Sequence, residues 1–205
     1  LFQACKDGNL RKVRTLINSN EYLRHVNDSS SNTLLHIGVS SENNNLVYYL
    51  VNEARIPINC INNFRWTPLH YTVYNADIEK SKLLINNGAY VDVQDSCGKT
   101  PLIYACCSNN GEMVQLLLES GASTRTFDSS RDGPLHHASR GRCLVPRRAL
   151  LNNRDTDPNA VNFMGDTPIH LASASGSHAA VRFLLDAGSD PDKRNKAAKK
   201  PVDCV

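Results

Sequence analysis

Thr67-Pro68-Leu69-His70 recurs one hundred positions later as Thr167-Pro168-Ile169-His170. Looser copies stand around them: Thr33-Leu34-Leu35-His36, Thr100-Pro101-Leu102-Ile103, Gly133-Pro134-Leu135-His136, and an echo at Lys200-Pro201-Val202-Asp203. The first residues of these copies step by 34, 33, 33, 34 and 33. A fixed period of this size marks a repeat array, in which no repeat buries its apolar face alone and stacked neighbours share one elongated core.

Each repeat has a local physical reading. Threonine is a good N-cap, because its hydroxyl accepts a bond from an early helical N–H. Proline next to it suits the first helical turn, where its missing N–H is not needed. The apolar residue after proline and a small residue three further on (Ala105, Ala138, Ala172) give a first helix with a narrow packing face. Asn109, Gly141 and Gly176 are placed at the turn out of that helix, with positive φ expected. A second helix follows, with apolar residues at helical spacing (Val114, Leu117, Leu118; Val181, Leu184, Leu185). Seventeen residues after each motif start stands an apolar pair: Leu50-Val51, Leu84-Ile85, Leu117-Leu118, Leu150-Leu151 and Leu184-Leu185. Helix stops follow at Gly88-Ala89, Gly121-Ala122 and Gly188-Ser189. Ala4, Gly8, Val13 and Leu16-Ile17 fit the same frame. The expected repeats are 1–30 (partial), 31–64, 65–97, 98–130, 131–164, 165–197 and the start of another at 198–205, as expected for a fragment of a longer chain. Two repeats depart. The first full one lacks proline and is expected to end at Ala54-Arg55. The fourth starts at Gly133, ends at Asn152-Asn153-Arg154 and carries Pro146, expected to shorten or tilt the first turn of its second helix.

Motif, period and paired leucines together resemble the ankyrin repeat family over essentially the whole chain. The resemblance implies one all-α domain over residues 1–205, a solenoid of stacked helix-turn-helix repeats with β-turn or hairpin fingers. Finger tips and first helices would line a concave face. It also implies a structural role for His36, His70, His136 and His170, each bracing its turn through the capping residue (Thr33, Thr67 or Thr167, with Thr100 capping the repeat that has Ile103) and nearby backbone. Asn159 falls where members of this family are hydroxylated, with Leu151 at the favoured separation and Asp157 two before it, although Pro158 replaces the usual branched residue.

Composition narrows the function. Hydrophobic residues make up 40% and charged residues 21%, as in an ordinary folded domain. No apolar run reaches the ~18 residues of a membrane helix. The net charge of +3 announces neither a nucleic-acid nor a membrane binder. Seven cysteines with no C-x-x-C read as free thiols in a reducing compartment, cytoplasm or nucleus. A zinc site from Cys143 with His136 and His137 has no familiar spacing, so neither metal nor cofactor is expected. No phosphate loop or nucleophile elbow is present. His25, His137 and His178 stand with no recognisable base or nucleophile beside them, so no enzyme is expected in this segment.

A partner surface is suggested by register. Of 13 aromatic residues, six fall on finger-tip or concave positions: Phe64, Trp66, Tyr71, Tyr74, Tyr104 and Phe163. Trp and Tyr are enriched in binding hot spots. Arg65, Lys99 and Arg140 flank them, and His137 shares the register of Tyr71 and Tyr104. The plainer reading is that Tyr71 and Tyr104 pack between neighbouring repeats. Residues 131–200 hold 12 Lys+Arg against 7 Asp+Glu, clustered at Arg140, Arg142, Arg147, Arg148 and at Lys193, Arg194, Lys196, Lys199, Lys200. These are either a solvated rim or a seat for an acidic or phosphorylated partner segment; nucleic acid is disfavoured, because no reading motif accompanies the charge. The expectation is a non-catalytic protein-interaction module (adaptor, scaffold or inhibitor), monomeric by itself and not inserted in membrane. The alternatives are a regulatory or substrate-recruiting segment of a larger enzyme or channel, and an electrostatic binder of phosphorylated or nucleic-acid partners.

Overall fold

The computed structural model describes residues 1–141 and 144–204. Arg142 of the first basic cluster, Cys143 of the zinc trio, and Val205 lie outside the described residues. The chain divides into two compact units, Leu1–Ser96 and Cys97–Val205. The first holds α1 (Phe2–Lys6), α2 (Leu10–Ser19), α3 (Leu34–Gly38), α4 (Asn44–Tyr48), α5 (Pro68–Tyr74) and α6 (Ile78–Asn86). The second holds α7 (Pro101–Cys107), α8 (Gly111–Glu119), α9 (Pro134–Arg140), α10 (Leu144–Leu151), α11 (Pro168–Ala174), α12 (His178–Asp186) and a 3₁₀ turn at Pro201–Cys204. Among the described residues there is no strand, so the fold is all-α and each finger is a turn. No helix is long and apolar enough to cross a membrane among these residues.

First helices start where the threonines stand. The backbone N–H of Thr67 donates to His70 Nδ1 at 3.1 Å, and the Thr67 hydroxyl lies 2.9 Å from the same nitrogen. Thr33 with His36 and Thr167 with His170 repeat the pattern. Gly133 has no hydroxyl, yet its N–H still donates to His136 Nδ1 at 3.1 Å. Because Nδ1 accepts, Nε2 carries the proton. It donates to Trp66 O from His36 (2.9 Å), to Asp166 O from His136 (3.2 Å) and to Lys199 O from His170 (3.1 Å). One neutral imidazole thus caps its own helix and ties down the backbone of the next repeat. Second helices are capped separately, by the side chains of Asn9, Asn43, Asp77, Asn110 and Ser177.

The paired leucines supply the core. Leu34, Leu46, Leu50, Leu69 and Leu84 are fully buried in the first unit; Leu102, Leu117, Leu150 and Leu184 are in the second. There α9 packs against both α7 and α11, while α10 packs on α8. Ile169, Val181, Leu185, Pro201 and Val202 line an open, mostly apolar recess of about 380 Å³ on the last repeat.

Three local expectations are corrected. Gly141 does not take positive φ; it is extended, at φ −76° and ψ 161°. A Cβ at Gly141 would overlap the Asn109 carboxamide, so glycine serves close approach there. Asn109 and Gly176 do adopt positive φ, at 54° and 68°. The first full repeat ends one residue later than Ala54-Arg55. Its second helix widens into a π turn over Tyr49–Glu53, with Ala54 N–H donating to Tyr49 O. Arg55 then takes φ 53° where Gly88 and Gly121 take 89° and 87°. Ile56 is buried where Ala89 and Ala122 are. The extra residue absorbed by this turn is why Thr33 to Thr67 is a 34-residue step. Pro146 does not shorten the first turn of its helix, because α10 starts 33 residues after α8, in register, and ends one residue early at its other end. As the third helical residue, Pro146 occupies a position whose N–H has no intrahelical partner anyway. The extra residue of the fourth repeat falls after α10, where the Thr156 hydroxyl donates to Leu150 O at 2.6 Å.

Candidate partner-binding surface

In the first unit, Trp66 gathers part of the expected aromatic set. Its N–H is held by Asn62 Oδ1 at 3.0 Å and its indole N–H donates to Asp95 Oδ2 at 3.2 Å. Its ring lies 5.0 Å from Tyr71 edge-on, 5.5 Å from Tyr74 tilted, and 5.9 Å from His70 stacked. Tyr71 is tied to two fingers of the first unit. Its hydroxyl accepts from Asn62 Nδ2 at 3.0 Å and donates to Asn32 Oδ1 at 3.2 Å, and burial pushes its pKa up. The open part of the cluster is Tyr74, which is 63% exposed. Phe64 is 59% exposed on the finger tip and Arg65 is exposed at φ 58°.

In the second unit, Lys99 Nζ sits 5.6 Å above the Tyr104 ring. Arg140 is exposed but paired, donating to Asp132 Oδ2 at 2.8 Å. Burial raises the Asp132 pKa, but bonds from Asn162 and Arg140 outweigh it and hold the carboxyl below its ordinary value. Phe163 is exposed on its own finger, next in sequence to exposed Met164.

His137 was expected to stand without a base or nucleophile beside it, and that is corrected. Its Nε2 lies 2.8 Å from Asp128 Oδ2 and its Nδ1 lies 3.3 Å from Cys107 Sγ. Sequence separations of 9 and 30 residues hide this, because only the stacking of α7 on α9 closes the longer one. Asp128, Asp132 and His137 also bring ligand-type atoms within 4.8 Å of one another. Asp132, however, is engaged by Arg140 and Asn162, and Asp128 by its own turn and His137, so the group is a hydrogen-bonded chain.

The basic clusters differ in availability. Arg147 is not on the surface: it is fully buried and its guanidinium donates to Ala138 O at 2.9 Å and Gly141 O at 2.7 Å. It stands in the register of Val114, on the packed face of its helix, so its charge is turned inward. Arg148, Lys193, Arg194, Lys196 and Lys199 are exposed, and Lys200 pairs with Asp192 at 2.7 Å. Asn159 clips two loops, donating to Gly188 O at 3.0 Å and accepting from Asp190 N–H at 2.8 Å; Asn59 does the same with Gly88 and Tyr90.

Asp95 and Asp128, placed by sequence as turn-forming residues in the loops, belong to a position that recurs in every finger. Five residues before each cap stands Asp or Asn: Asp28, Asn62, Asp95, Asp128, Asn162 and Asn195. The side-chain oxygen of Asn62 accepts from the N–H groups of Phe64 and Trp66, shaping the finger; Asp28, Asp128, Asn162 and Asn195 do the same in theirs. Their recurrence at the motif period was the available signal. Single backbone bonds link successive tips, Asn63 to Ser30 in the first unit and Phe163 to Ser130 in the second.

The family model described as ankyrin repeats (3 copies) matches residues 42–128, 73–153 and 126–195. An ankyrin repeat protein of fowlpox virus (strain NVSL) is 29% identical over 157 residues, 76% of this chain and 82% of its own length. The human transient receptor potential cation channel subfamily A member 1 is 32% identical over 136 residues, 65% of this chain and 12% of the channel. The pig NF-kappa-B inhibitor alpha is 33% identical over 107 residues, 50% of this chain and 34% of the inhibitor. The chain therefore spans most of the viral relative and a minor part of the other two. With capped helix pairs stacked at a 33- to 34-residue period and the family model covering residues 42–195, the chain belongs to the ankyrin repeat family.

Proposed function

We propose that this chain is a protein-interaction module without catalysis of its own, acting as adaptor, scaffold or inhibitor. The observation that carries the reading is the Trp66–Tyr71–Tyr74 cluster: a tryptophan pinned from behind by Asn62 and Asp95, with Tyr74 left open to solvent. Aromatic anchors that are already rigid lose little entropy on binding, which is what a hot spot needs. Phe64 and Arg65 extend the candidate surface in the first unit. Lys99, Tyr104, His137, Arg140 and Phe163 are the candidates in the second. The exposed Lys193–Lys199 cluster suits an acidic or phosphorylated partner segment. The similarity to an NF-kappa-B inhibitor supports the inhibitor reading, and the similarity to a channel supports the alternative, a regulatory segment of a larger protein. Free thiols at Cys5, Cys60, Cys106, Cys107 and Cys204 suit a reducing compartment, cytoplasm or nucleus. Hydroxylation of Asn159 is a further proposal, and an unmodified mass for cell-derived protein would remove it.

The test is comparative capture from lysate with the chain and with Trp66→Ala/Tyr74→Ala, circular dichroism confirming that both fold. A prey retained by the first and lost by the second supports the aromatic surface; a prey retained equally by both overturns it.

A further inference from the structure

Cys106 and Cys107 are adjacent but unlike. Cys106 is fully buried in the core, whereas Cys107 is exposed at the last residue of α7. Cys107 Sγ lies 3.3 Å from His137 Nδ1, and the opposite ring nitrogen, Nε2, lies 2.8 Å from Asp128 Oδ2. Asp128 is itself fixed, because its other oxygen accepts from Ser130 and Asp132 N–H groups, both at 2.9 Å. A carboxylate can only accept, so the proton of a neutral imidazole sits on Nε2. That leaves the Nδ1 lone pair facing the thiol. A thiol, a base within hydrogen-bond reach and a third group orienting the base form the arrangement that activates a nucleophile.

We infer that Cys107 is a base-assisted reactive thiol and a site of reversible mixed-disulfide formation with a small soluble disulfide, with His137 as its base and Asp128 as the positioning residue. Cys107 Sγ attacks one sulfur of the disulfide and passes its proton to His137 Nδ1. The S–S bond breaks, and the departing thiolate takes that proton back from the imidazolium. One thiol and one disulfide are consumed and one of each is formed, so no outside oxidant enters. Burial lowers the His137 pKa and raises that of Cys107, both of which favour the neutral thiol–imidazole pair at rest, so the assistance rests on the geometry: the thiol within reach of Nδ1 and the ring held by Asp128. The inference does not depend on the partner surface.

The repeats supply their own control substitutions. Tyr71 and Tyr104 occupy the register of His137, and Asn62 and Asn162 that of Asp128, so His137→Tyr and Asp128→Asn borrow residues the fold already accepts there. Cys97, an exposed thiol on the same unit, is the internal reference. The full chain is incubated with glutathione disulfide, and adducts at each cysteine are timed by peptide mass spectrometry. The expectation is that Cys107 reacts about tenfold faster than Cys97 or more, general-base assistance ranging from about 10²- to 10⁴-fold. His137→Tyr should bring Cys107 down to the Cys97 rate and leave Cys97 unchanged; Asp128→Asn should slow Cys107 alone. If circular dichroism shows that His137→Tyr does not fold, Asp128→Asn decides. Equal rates at Cys107 and Cys97, or a ratio that survives the folded substitution, overturns the inference.

Discussion

A histidine three residues into a helix is an odd place for a titratable group unless it is kept neutral. In His36, His70, His136 and His170 the Nδ1 atom accepts from the capping backbone, which a protonated ring could not do. Burial lowers the pKa of His36, His136 and His137 below the ordinary 6.5. The unfolded chain therefore binds protons at these sites before the folded chain does. Their contribution is complete above pH 6.5 and is lost as pH falls through the lowered folded values. Urea titrations should show stability roughly flat from pH 8 to 7 and falling below, by at most about 1.4 kcal/mol per pH unit for each histidine. A flat profile down to pH 5 would contradict it. Thr67→Ala removes a capping oxygen from a buried site and should cost about 1–2 kcal/mol in the same assay. Motif letters alone locate these residues; the tautomer and the bond to the next repeat come from the stacked structure.

At the scale of the element, the helix ends carry what the period could not. A 34-residue step announces an extra residue but not its place. In the first full repeat it enters the helix as a π turn; in the fourth it enters the loop after α10. Arg55 pays for the first solution with a left-handed backbone at φ 53°, so Arg55→Gly should raise stability by about 0.5–1 kcal/mol by chemical denaturation. Gly141→Ala should lower it by about 1–3 kcal/mol, because the new methyl meets the Asn109 carboxamide rather than a forbidden φ. No change at Gly141 would show that Asn109 swings aside without cost.

At the scale of the molecule, the aromatic and the basic surfaces predict different salt behaviour. Binding carried by Trp66 and Tyr74 should change little between 50 and 300 mM salt and lose about 2 kcal/mol or more, over tenfold in Kd, on Trp66→Ala. Binding carried by Lys193, Arg194 and Lys196 should weaken steeply over the same range. Isothermal titration with the captured partner separates the two, and a steep salt slope with no effect of Trp66→Ala would move the surface to the basic cluster.

Sequence alone determined the all-α repeat architecture, the capping histidines and the leucine core, because each is a local pattern repeated at one spacing, and spacing survives in a linear string. It also named Trp66 and Tyr74 by register. Only tertiary structure decided which members of a pattern face inward. Arg147 reads as surface charge beside Arg148, yet the pairing of α10 with α9 in its own repeat gives it a core position and three carbonyls. His137 reads as solitary in the sequence, yet stacking brings Cys107 to one of its nitrogens while a turn brings Asp128 to the other. Contacts between residues 30 apart depend on how neighbouring repeats dock, and docking is set by the summed fit of the packed faces, which no single residue letter encodes.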